Sequence, residues 1–288
     1  MARKSKSSPA QTSFLELTLK TAPCVPAIRE AVKAWVAGGY KGATPTTKTL
    51  LNYWFKNDHR VNGLPFKYHY FQREAMETLI YLYEVAKVRR FNNLIGEYAP
   101  IGLKDTLRLL QYDDYARYCV KMATGSGKTK VIALAVAWQY FNAVLEDSQA
   151  YAATSLIIAP NVIVFERLKE DFEGGRVFRT DPIIPRELEI YWDVDFYMRG
   201  DGERAGSQGA VYVTNIHQLY ERTDNGDDGE PDIMTQMLGR KPPAAMTAAE
   251  PFEARLLARG GPLFVVNDEA HHTHDENSEW LKTIRRMN

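Results

Sequence analysis

The chain has 288 residues, of which 45% are hydrophobic and 25% are charged, a composition typical of a globular protein with a sizeable core. Its longest uninterrupted apolar run, residues 131–138, is far shorter than the roughly 20 residues that a membrane-spanning helix needs, so we expect no membrane partner. The polar start lacks a secretory signal and two cysteines are too few for a disulfide framework, which together favour a cytoplasmic protein.

The formal net charge of zero conceals two oppositely charged halves of the chain. Residues 1–130 hold 21 lysines and arginines against 10 aspartates and glutamates, and residues 131–288 hold 15 against 26. A basic surplus favours a polyanionic partner, because cations that neutralise phosphates release condensed counterions. Uneven charge is also common on proteins that bind no nucleic acid, so charge alone leaves that partner undecided.

Composition and hydrophobic periodicity first separate an N-terminal region from the rest of the chain. Residues 1–12 are rich in Lys, Ser and Pro and predict a disordered basic tail. Residues 13–63 predict a small accessory region, with a strand at 14–19, a helix at 27–36 and a Thr-capped apolar segment at 50–55.

Residues 64–288 predict the main domain, in which strands and helices alternate. Apolar residues at three- and four-residue spacing predict a helix over 71–90, and a less patterned insertion follows it. The further predicted elements are strands at 115–122, 155–159, 189–196, 210–214 and 262–266, and helices that begin near residue 128 and cover 162–172. This alternation predicts an α/β fold with a mostly parallel sheet flanked by helices.

A glycine-rich segment lies between the predicted strand at 115–122 and the following helix. Its residues are Ala123, Thr124, Gly125, Ser126, Gly127, Lys128 and Thr129. Glycines let backbone N–H groups converge on phosphate oxygens at the positive end of a helix, so this Walker A loop predicts a site for ATP. Lys128 would neutralise the β- and γ-phosphates, and the Thr129 hydroxyl would ligate Mg²⁺. The strict P-loop pattern has glycine where this chain has Met122.

The apolar run 262–267 delivers two carboxylates, those of Asp268 and Glu269, to the end of a predicted buried strand. Buried carboxylates are costly unless they hold a metal ion or a proton. We therefore expect Asp268 to hold Mg²⁺ through water and Glu269 to polarise the attacking water. An acidic turn after a strand is also a frequent structural feature, and it is the pairing with the Walker A loop that favours this assignment.

The two motifs, Ala-Thr-Gly-Ser-Gly-Lys-Thr at 123–129 and Asp-Glu-Ala-His at 268–271, resemble those of superfamily 2 helicases and translocases of the DEAD/DEAH class. With Met122 and His272 included, they particularly resemble the restriction subunit of type III restriction enzymes, in which alanine occupies the region of the usual first glycine. The resemblance implies a RecA-like P-loop NTPase domain, ATP and Mg²⁺ as cofactors, and ATP hydrolysis stimulated by nucleic acid. His271 would couple the nucleotide site to the rest of the motor.

Three weaker segments fit the same family. The start of the helix over 71–90 resembles the Q motif, in which Gln72 would read the adenine edge and Tyr70 or Phe71 would pack on the base. An ordinary helix start is the alternative. Two later segments resemble motif Ia and a strand-to-helix motif, and they would present backbone and hydroxyl groups to the phosphates of a nucleic-acid strand. These segments are 157–161 and 213–219, and strand ends with helix caps explain them equally well.

A metal-hydrolase interpretation of the stretch after the two carboxylates is weaker. The side chains that invite it are His271, His272, His274 and Asp275. Their spacing does not match a His-x-His-x-Asp-His ligand set. We expect His272 and His274 to be surface or interdomain residues.

We expect no second RecA-like domain in the 17 residues after His271, so an arginine finger would come from elsewhere. Such a half-site predicts ATP binding with slow or undetectable hydrolysis and no unwinding. The leading function is the ATP-binding motor of a DNA helicase or translocase in a restriction or phage-defence system. Its expected partners are double-stranded DNA and a second motor domain, a modification subunit or a nuclease subunit. The alternatives are an RNA helicase of the same superfamily and an ATP-gated protein-interaction module without nucleic acid.

Overall fold

The computed structural model describes residues 22–102, 115–198, 201, 206–215, 255–256 and 258–268. The chain divides into two compact units. The first consists of Met1–Asn57 and Lys67–Val131, and the second of Asp58–Phe66 and Ile132–Asn288. The three regions predicted from the sequence, with boundaries after residues 12 and 63, stay a prediction. The predicted basic tail and the strand at 14–19 lie outside the described residues.

Helices make up most of the described part of the first unit. They are α1 (Val25–Ala37), α2 (Pro45–Lys56), α3 (Tyr70–Ile80), a π-helical turn (Tyr81–Val85) and α4 (Phe91–Tyr98). Thr44 caps α2 by accepting a hydrogen bond from the Thr47 N–H at 3.0 Å, and proline follows in the first turn, where its missing N–H costs nothing. The helix predicted at 27–36 is confirmed as part of α1. The apolar segment predicted at 50–55 lies within α2, but the helix begins earlier than predicted, at Pro45, and its threonine cap is Thr44.

The core of the first unit consists of apolar side chains on the inner faces of these helices. Ile28, Val32 and Trp35 recur along α1 at three- and four-residue spacing, and all three are buried. The most deeply buried apolar side chains described in the unit are Tyr40, Leu50, Leu51, Trp54, Met76 and Ile80. Burial of one large apolar side chain contributes roughly 1.5–3 kcal/mol, so this core is a principal source of the unit's stability.

Two buried glutamates connect the helices of the first unit. Glu77 accepts hydrogen bonds from the Tyr40 hydroxyl at 2.6 Å and from Nε of Arg73 at 2.8 Å. Glu84 accepts a hydrogen bond from the Thr47 hydroxyl at 2.7 Å. A buried carboxylate is costly without such partners, so each of these contacts fixes the two segments that it joins.

A parallel sheet forms the centre of the second unit. The first strands of the unit are a hairpin of β1 (His59–Val61) and β2 (Leu64–Phe66), which pair antiparallel. The boundary between the units falls within α5 (Lys128–Leu145), and the following elements are β3 (Thr154–Ala159), α6 (Val162–Phe172), α7 (Arg176–Thr180), β4 (Val194–Tyr197), β5 (Gly209–Asn215) and β6 (Leu263–Asn267). Among the described residues the sheet has the order β4-β5-β3-β6, and all three pairings are parallel. The strands predicted at 155–159, 210–214 and 262–266 and the α/β class are confirmed.

The central strands and α5 are buried on all sides. β3 and β5 are buried along their whole length, which explains their continuous apolar sequences without polar alternation. Every residue of α5 from 131 to 143 is buried, and its polar side chains have partners. Gln139 accepts from the Ala152 N–H at 3.0 Å, and Asn142 donates to the Trp138 carbonyl at 2.9 Å. Even so, no helix in the described ranges has the length and apolar character that a bilayer crossing requires.

The strand predicted at 115–122 is wrong, because these residues form no strand in the structure. Half of them are exposed, including Arg117 and Cys119, so the segment lacks the buried face that a strand of the sheet would have. One anchor of this irregular segment is Tyr118, whose hydroxyl donates a hydrogen bond to the Val88 carbonyl. The Walker A loop therefore follows an irregular segment.

The helix predicted over 71–90 is shorter in the structure. α3 ends at Ile80, and a π-helical turn continues to Val85. Lys87 then has a left-handed φ of 53°, which breaks the helical path. The insertion predicted to be less patterned contains α4, whose buried residues include Ile95 and Tyr98.

The strand predicted at 189–196 begins late, at Val194. The residues before it form a short 3₁₀ helix, Arg186–Tyr191. Tyr140 of α5 stabilises this arrangement, because its hydroxyl donates to the Tyr191 carbonyl at 2.7 Å and accepts from the Asp193 N–H at 3.0 Å. A side chain distant in sequence thus determines where the strand starts.

Candidate functional site

The Walker A loop forms a tight turn that leads into α5. Gly125 and Gly127 have φ values of 75° and 77°, in the left-handed region that other residues rarely adopt. Between them, Ser126 bonds back to the Ala123 carbonyl oxygen, from its hydroxyl at 2.7 Å and from its N–H at 3.3 Å. α5 begins at Lys128, which confirms the helix start predicted near that residue.

The start of α5 offers a suitable place for a phosphate group. The N–H groups of a first helical turn have no acceptor within the helix, and they lie at the positive end of the helix dipole. Lys128 and Thr129 occupy the first two positions of α5, and the loop is exposed from Ala123 to Gly125. An anion can therefore approach this turn, although the roles of the individual residues stay a prediction.

Gln72 joins α3 to the Walker A loop. Its Oε1 accepts a hydrogen bond from the His69 N–H at 2.9 Å, and its Nε2 donates to the Ser126 carbonyl oxygen at 3.0 Å. The first contact belongs to a capping box, in which His69 and Gln72 satisfy each other's backbone groups at the start of α3. Gln72 thus has the ordinary role of a helix-start residue and also contacts the predicted phosphate loop, while its contact with adenine stays a prediction.

The contact between Gln72 and the loop requires glycine at position 127. A Cβ atom at Gly127 would lie 2.5 Å from Nε2 of Gln72, a distance that real Cβ atoms do not tolerate. A Cβ atom at Gly125 would have no heavy atom within 4 Å. Gly127 is therefore needed for its φ and for close packing, whereas Gly125 is needed only for its φ.

Asp268 directly follows β6 at the carboxyl end of the parallel sheet. Its N–H donates to the Ile158 carbonyl at 3.0 Å, which extends the pairing of β6 with β3 by one residue. The residue is 5% exposed, so its carboxylate requires compensation by a cation or hydrogen-bond donors. A hard divalent cation prefers oxygen ligands and carboxylates, so the chemistry of the Asp268 side chain suits the predicted role in holding Mg²⁺.

Arg167 of α6 provides a positive charge beside Asp268. Its Nη2 lies 3.4 Å from Oδ2 of Asp268. The Arg167 side chain is 53% exposed, whereas that of Asp268 is 4% exposed. This arginine could not be identified from the sequence, because its only signal there is a positive charge on the helix that follows β3.

The two segments predicted to contact a nucleic-acid strand lie at the carboxyl ends of β3 and β5. Just after β3, the Asn161 side chain accepts a hydrogen bond from the Val164 N–H at 2.9 Å and caps α6. β5 ends at the buried Asn215, which pairs with Ala159 of β3. Ligands of open α/β sheets bind outside the carboxyl ends of the strands, so this placement suits the prediction without testing it. Residues 216–219 of the second segment lie outside the described residues.

The predicted residues Glu269 and His271 lie outside the described residues, and so do His272 and His274. Their assigned roles stay predictions. In the parts of the chain that the structure describes, no group of three or more His, Cys, Asp or Glu side chains could hold a metal ion.

The sequence also matches a known protein family. The family model of the type III restriction enzyme res subunit, ResIII, matches residues 65–287, a range that includes Gln72, the Walker A loop and Asp268. The chain belongs to this family. No curated protein and no solved structure shows significant similarity to the chain.

Membership in the ResIII family shows what kind of domain this is. It is a RecA-like P-loop domain, the helicase-like, ATP-binding motor domain of restriction-type enzymes. The family consists of ATPase-type hydrolases that use ATP with a divalent metal ion, and its helicase character indicates interaction with nucleic acid.

Proposed function

We propose that this chain binds ATP with Mg²⁺ and couples ATP hydrolysis to the handling of double-stranded DNA in a restriction or phage-defence system. The observation that carries the proposal is the conformation of the Walker A loop. Its two left-handed glycines, Gly125 and Gly127, immediately precede the N terminus of α5 in a chain that belongs to the ResIII family. Bound Mg²⁺ would neutralise the charge that develops on the phosphates during hydrolysis.

The roles of the binding residues follow from their chemistry. Lys128 places a mobile positive charge on the β- and γ-phosphates, and the loop N–H groups donate hydrogen bonds to the phosphate oxygens. The hydroxyl of Thr129 supplies an oxygen ligand for the cation, and the carboxylate of Asp268 holds the cation through water. Gln72 keeps the loop in place and reads the adenine edge.

The catalytic step is assigned to residues that follow Asp268. Glu269 accepts a proton from the attacking water and orients it toward the γ-phosphate. His271 couples this site to the rest of the motor. An arginine finger would add a second positive group that stabilises the charge of the transition state.

Binding of ATP is tested by calorimetry on Lys128→Ala, with Lys121→Ala as the matched control. Lys121 is an exposed lysine just before the loop, so the control removes the same charge without altering the motif. We expect ATP binding in the presence of Mg²⁺ to be lost in Lys128→Ala and unchanged in Lys121→Ala. Unchanged affinity in Lys128→Ala would contradict the assignment of the loop.

Coupling to DNA is tested by the ATPase rate of the chain with and without double-stranded DNA, compared with the Glu269→Gln variant. We expect the DNA to increase a slow basal turnover and Glu269→Gln to abolish the increase. We also expect DNA affinity to fall steeply with salt, because phosphate contacts release counterions. Stimulation by RNA alone would favour an RNA helicase. ATP-dependent association with a protein, with neither DNA nor RNA bound, would favour an interaction module.

A further inference from the structure

Arg167 has a contact that points to a further role. The inference rests on the proposed function, in which Asp268 holds the divalent cation. We propose that Arg167 is a positioning residue that neutralises the Asp268 carboxylate when no divalent cation is bound and competes with the incoming cation for it. The guanidinium thus acts as a removable counterion. Replacing Arg167 by a neutral residue therefore makes cation binding tighter.

The burial of Asp268 creates the need for a counterion. Its side chain is 4% exposed, and a buried carboxylate loses most of the hydration that stabilises its charge. The guanidinium of Arg167, at 3.4 Å from Oδ2, compensates part of that loss. A divalent cation would compensate more of it, because its charge is double that of the guanidinium.

The contact between Arg167 and Asp268 is weak enough for a cation to replace it. A strong arginine–carboxylate pair is bidentate, with two parallel hydrogen bonds of about 2.7–2.9 Å. Here one nitrogen, Nη2 of Arg167, approaches one oxygen of Asp268 at 3.4 Å, and the arginine side chain is 53% exposed. Arg167 can therefore withdraw into solvent at little cost, whereas Asp268 remains in place.

The fold holds the backbones of both residues in fixed positions. The Asp268 N–H is bonded to the Ile158 carbonyl of β3, and two residues after β3 the Asn161 side chain caps α6, which carries Arg167. Because both residues are fixed relative to β3, the approach of the guanidinium is a built-in feature of the second unit. Only the flexible arginine side chain needs to move when a cation arrives.

Binding of Mn²⁺ to the protein saturated with ADP measures this competition without relying on ATP turnover. Free Mn²⁺ is followed by electron paramagnetic resonance in wild type, Arg167→Gln, Arg167→Lys and the control Lys169→Gln. Lys169 is on the same helix, and two residues correspond to a rotation of about 200°, so the control removes a charge from the opposite side of α6. We expect Arg167→Gln to tighten Mn²⁺ binding about two- to fivefold, the upper part of the range for a partly exposed charge pair. Arg167→Lys keeps affinity near wild type, and Lys169→Gln leaves it unchanged.

Asp268→Asn completes the test as a double-mutant cycle. We expect this variant to weaken Mn²⁺ binding and to abolish the effect of Arg167→Gln. If Asp268→Asn weakens binding but Arg167→Gln leaves it unchanged or also weakens it, the competition is overturned while the proposed function stands. If Asp268→Asn has no effect, the assigned role of Asp268 fails, and the role of Arg167 fails with it.

Discussion

The Gln72 side-chain amide and the Ser126 carbonyl oxygen form a hydrogen bond of 3.0 Å between residues 54 positions apart in the sequence. The other end of the same amide accepts from the His69 N–H and caps α3. One side chain therefore connects the first turn of α3 to the turn between Gly125 and Gly127. Because the side chain is buried, each polar atom loses its partner without replacement by water if the contact breaks.

Substitution of Gln72 by glutamate separates its two contacts. Glutamate is a standard capping-box residue, so Gln72→Glu keeps the acceptor for the His69 N–H. It replaces the donor to the Ser126 carbonyl with a second acceptor, which is repelled. We expect lower thermal stability, because a carboxylate buried opposite a carbonyl oxygen is costly even while the cap remains. We also expect ATP affinity about five- to thirtyfold weaker, equivalent to the loss of a hydrogen bond worth roughly 1–2 kcal/mol.

Gln72→Ala is the companion variant, because it removes both contacts. We expect it to lower the free energy of unfolding by about 1–2 kcal/mol, through loss of the cap and of one hydrogen bond, and to weaken ATP binding as well. Urea denaturation and calorimetry measure the two effects. Wild-type ATP affinity in both variants would show that the contact with Ser126 does not hold the loop in its binding conformation.

Alanine at the two glycines of the loop should have unequal effects. Both positions have a left-handed φ, which costs a non-glycine residue about 1–2 kcal/mol. Gly127→Ala also places its Cβ 2.5 Å from Nε2 of Gln72, whereas Gly125→Ala meets no heavy atom within 4 Å. We expect Gly127→Ala to lose more ATP affinity than Gly125→Ala. Removing the opposing side chain, in Gly127→Ala with Gln72→Ala, should abolish the steric part of the difference, and a purely additive double variant would contradict this account.

Two substitutions of Asn161 distinguish its role as a helix cap from a role in contacting nucleic acid. Its side-chain oxygen accepts from the Val164 N–H, and aspartate caps helices equally well. We expect Asn161→Asp to keep the free energy of unfolding and Asn161→Ala to lose about 1 kcal/mol of it. If the segment contacts phosphates, the added negative charge of Asn161→Asp should also weaken DNA binding. Unchanged DNA affinity at low salt would leave Asn161 with a structural role alone.

Elements with strong local signals could be predicted from the sequence. α6 occupies the residues 162–172 that its periodicity and the cap at Asn161 indicate, and the buried strands β3, β5 and β6 lie within about a residue of the apolar runs. In these segments the residue pattern and the tertiary environment agree. The glycine-loop start of α5 was equally clear, because only a few residue types fit left-handed positions.

Features that depend on distant contacts could not be predicted in this way. The start of β4 depends on the hydroxyl of Tyr140, which lies more than 50 residues earlier in the sequence. The segment 115–122 has the residue pattern of a strand, but it pairs with no strand in the described residues. The contact of Arg167 with Asp268 spans 101 residues. Sequence spacing contains no information on such pairs, so the residues beside a predicted ligand emerge only from the fold.

Tyr40 should make the stability of the protein sensitive to high pH. Burial raises the pKa of its hydroxyl above the usual value near 10, and the hydrogen bond to Glu77 raises the pKa further. The folded state therefore retains a proton that the unfolded state loses, so this contribution is complete below about pH 10 and decreases as pH rises toward the folded pKa.

We expect Tyr40→Phe to lower the free energy of unfolding by about 1–2 kcal/mol at pH 7, since Glu77 loses one donor but keeps Arg73. Urea denaturation between pH 7 and 11 should show a smaller loss of stability in this variant than in wild type, with Tyr70→Phe, at an 80% exposed position, as the control. If the difference in the free energy of unfolding between wild type and Tyr40→Phe stays constant above pH 10, Tyr40 does not hold its proton in the folded state.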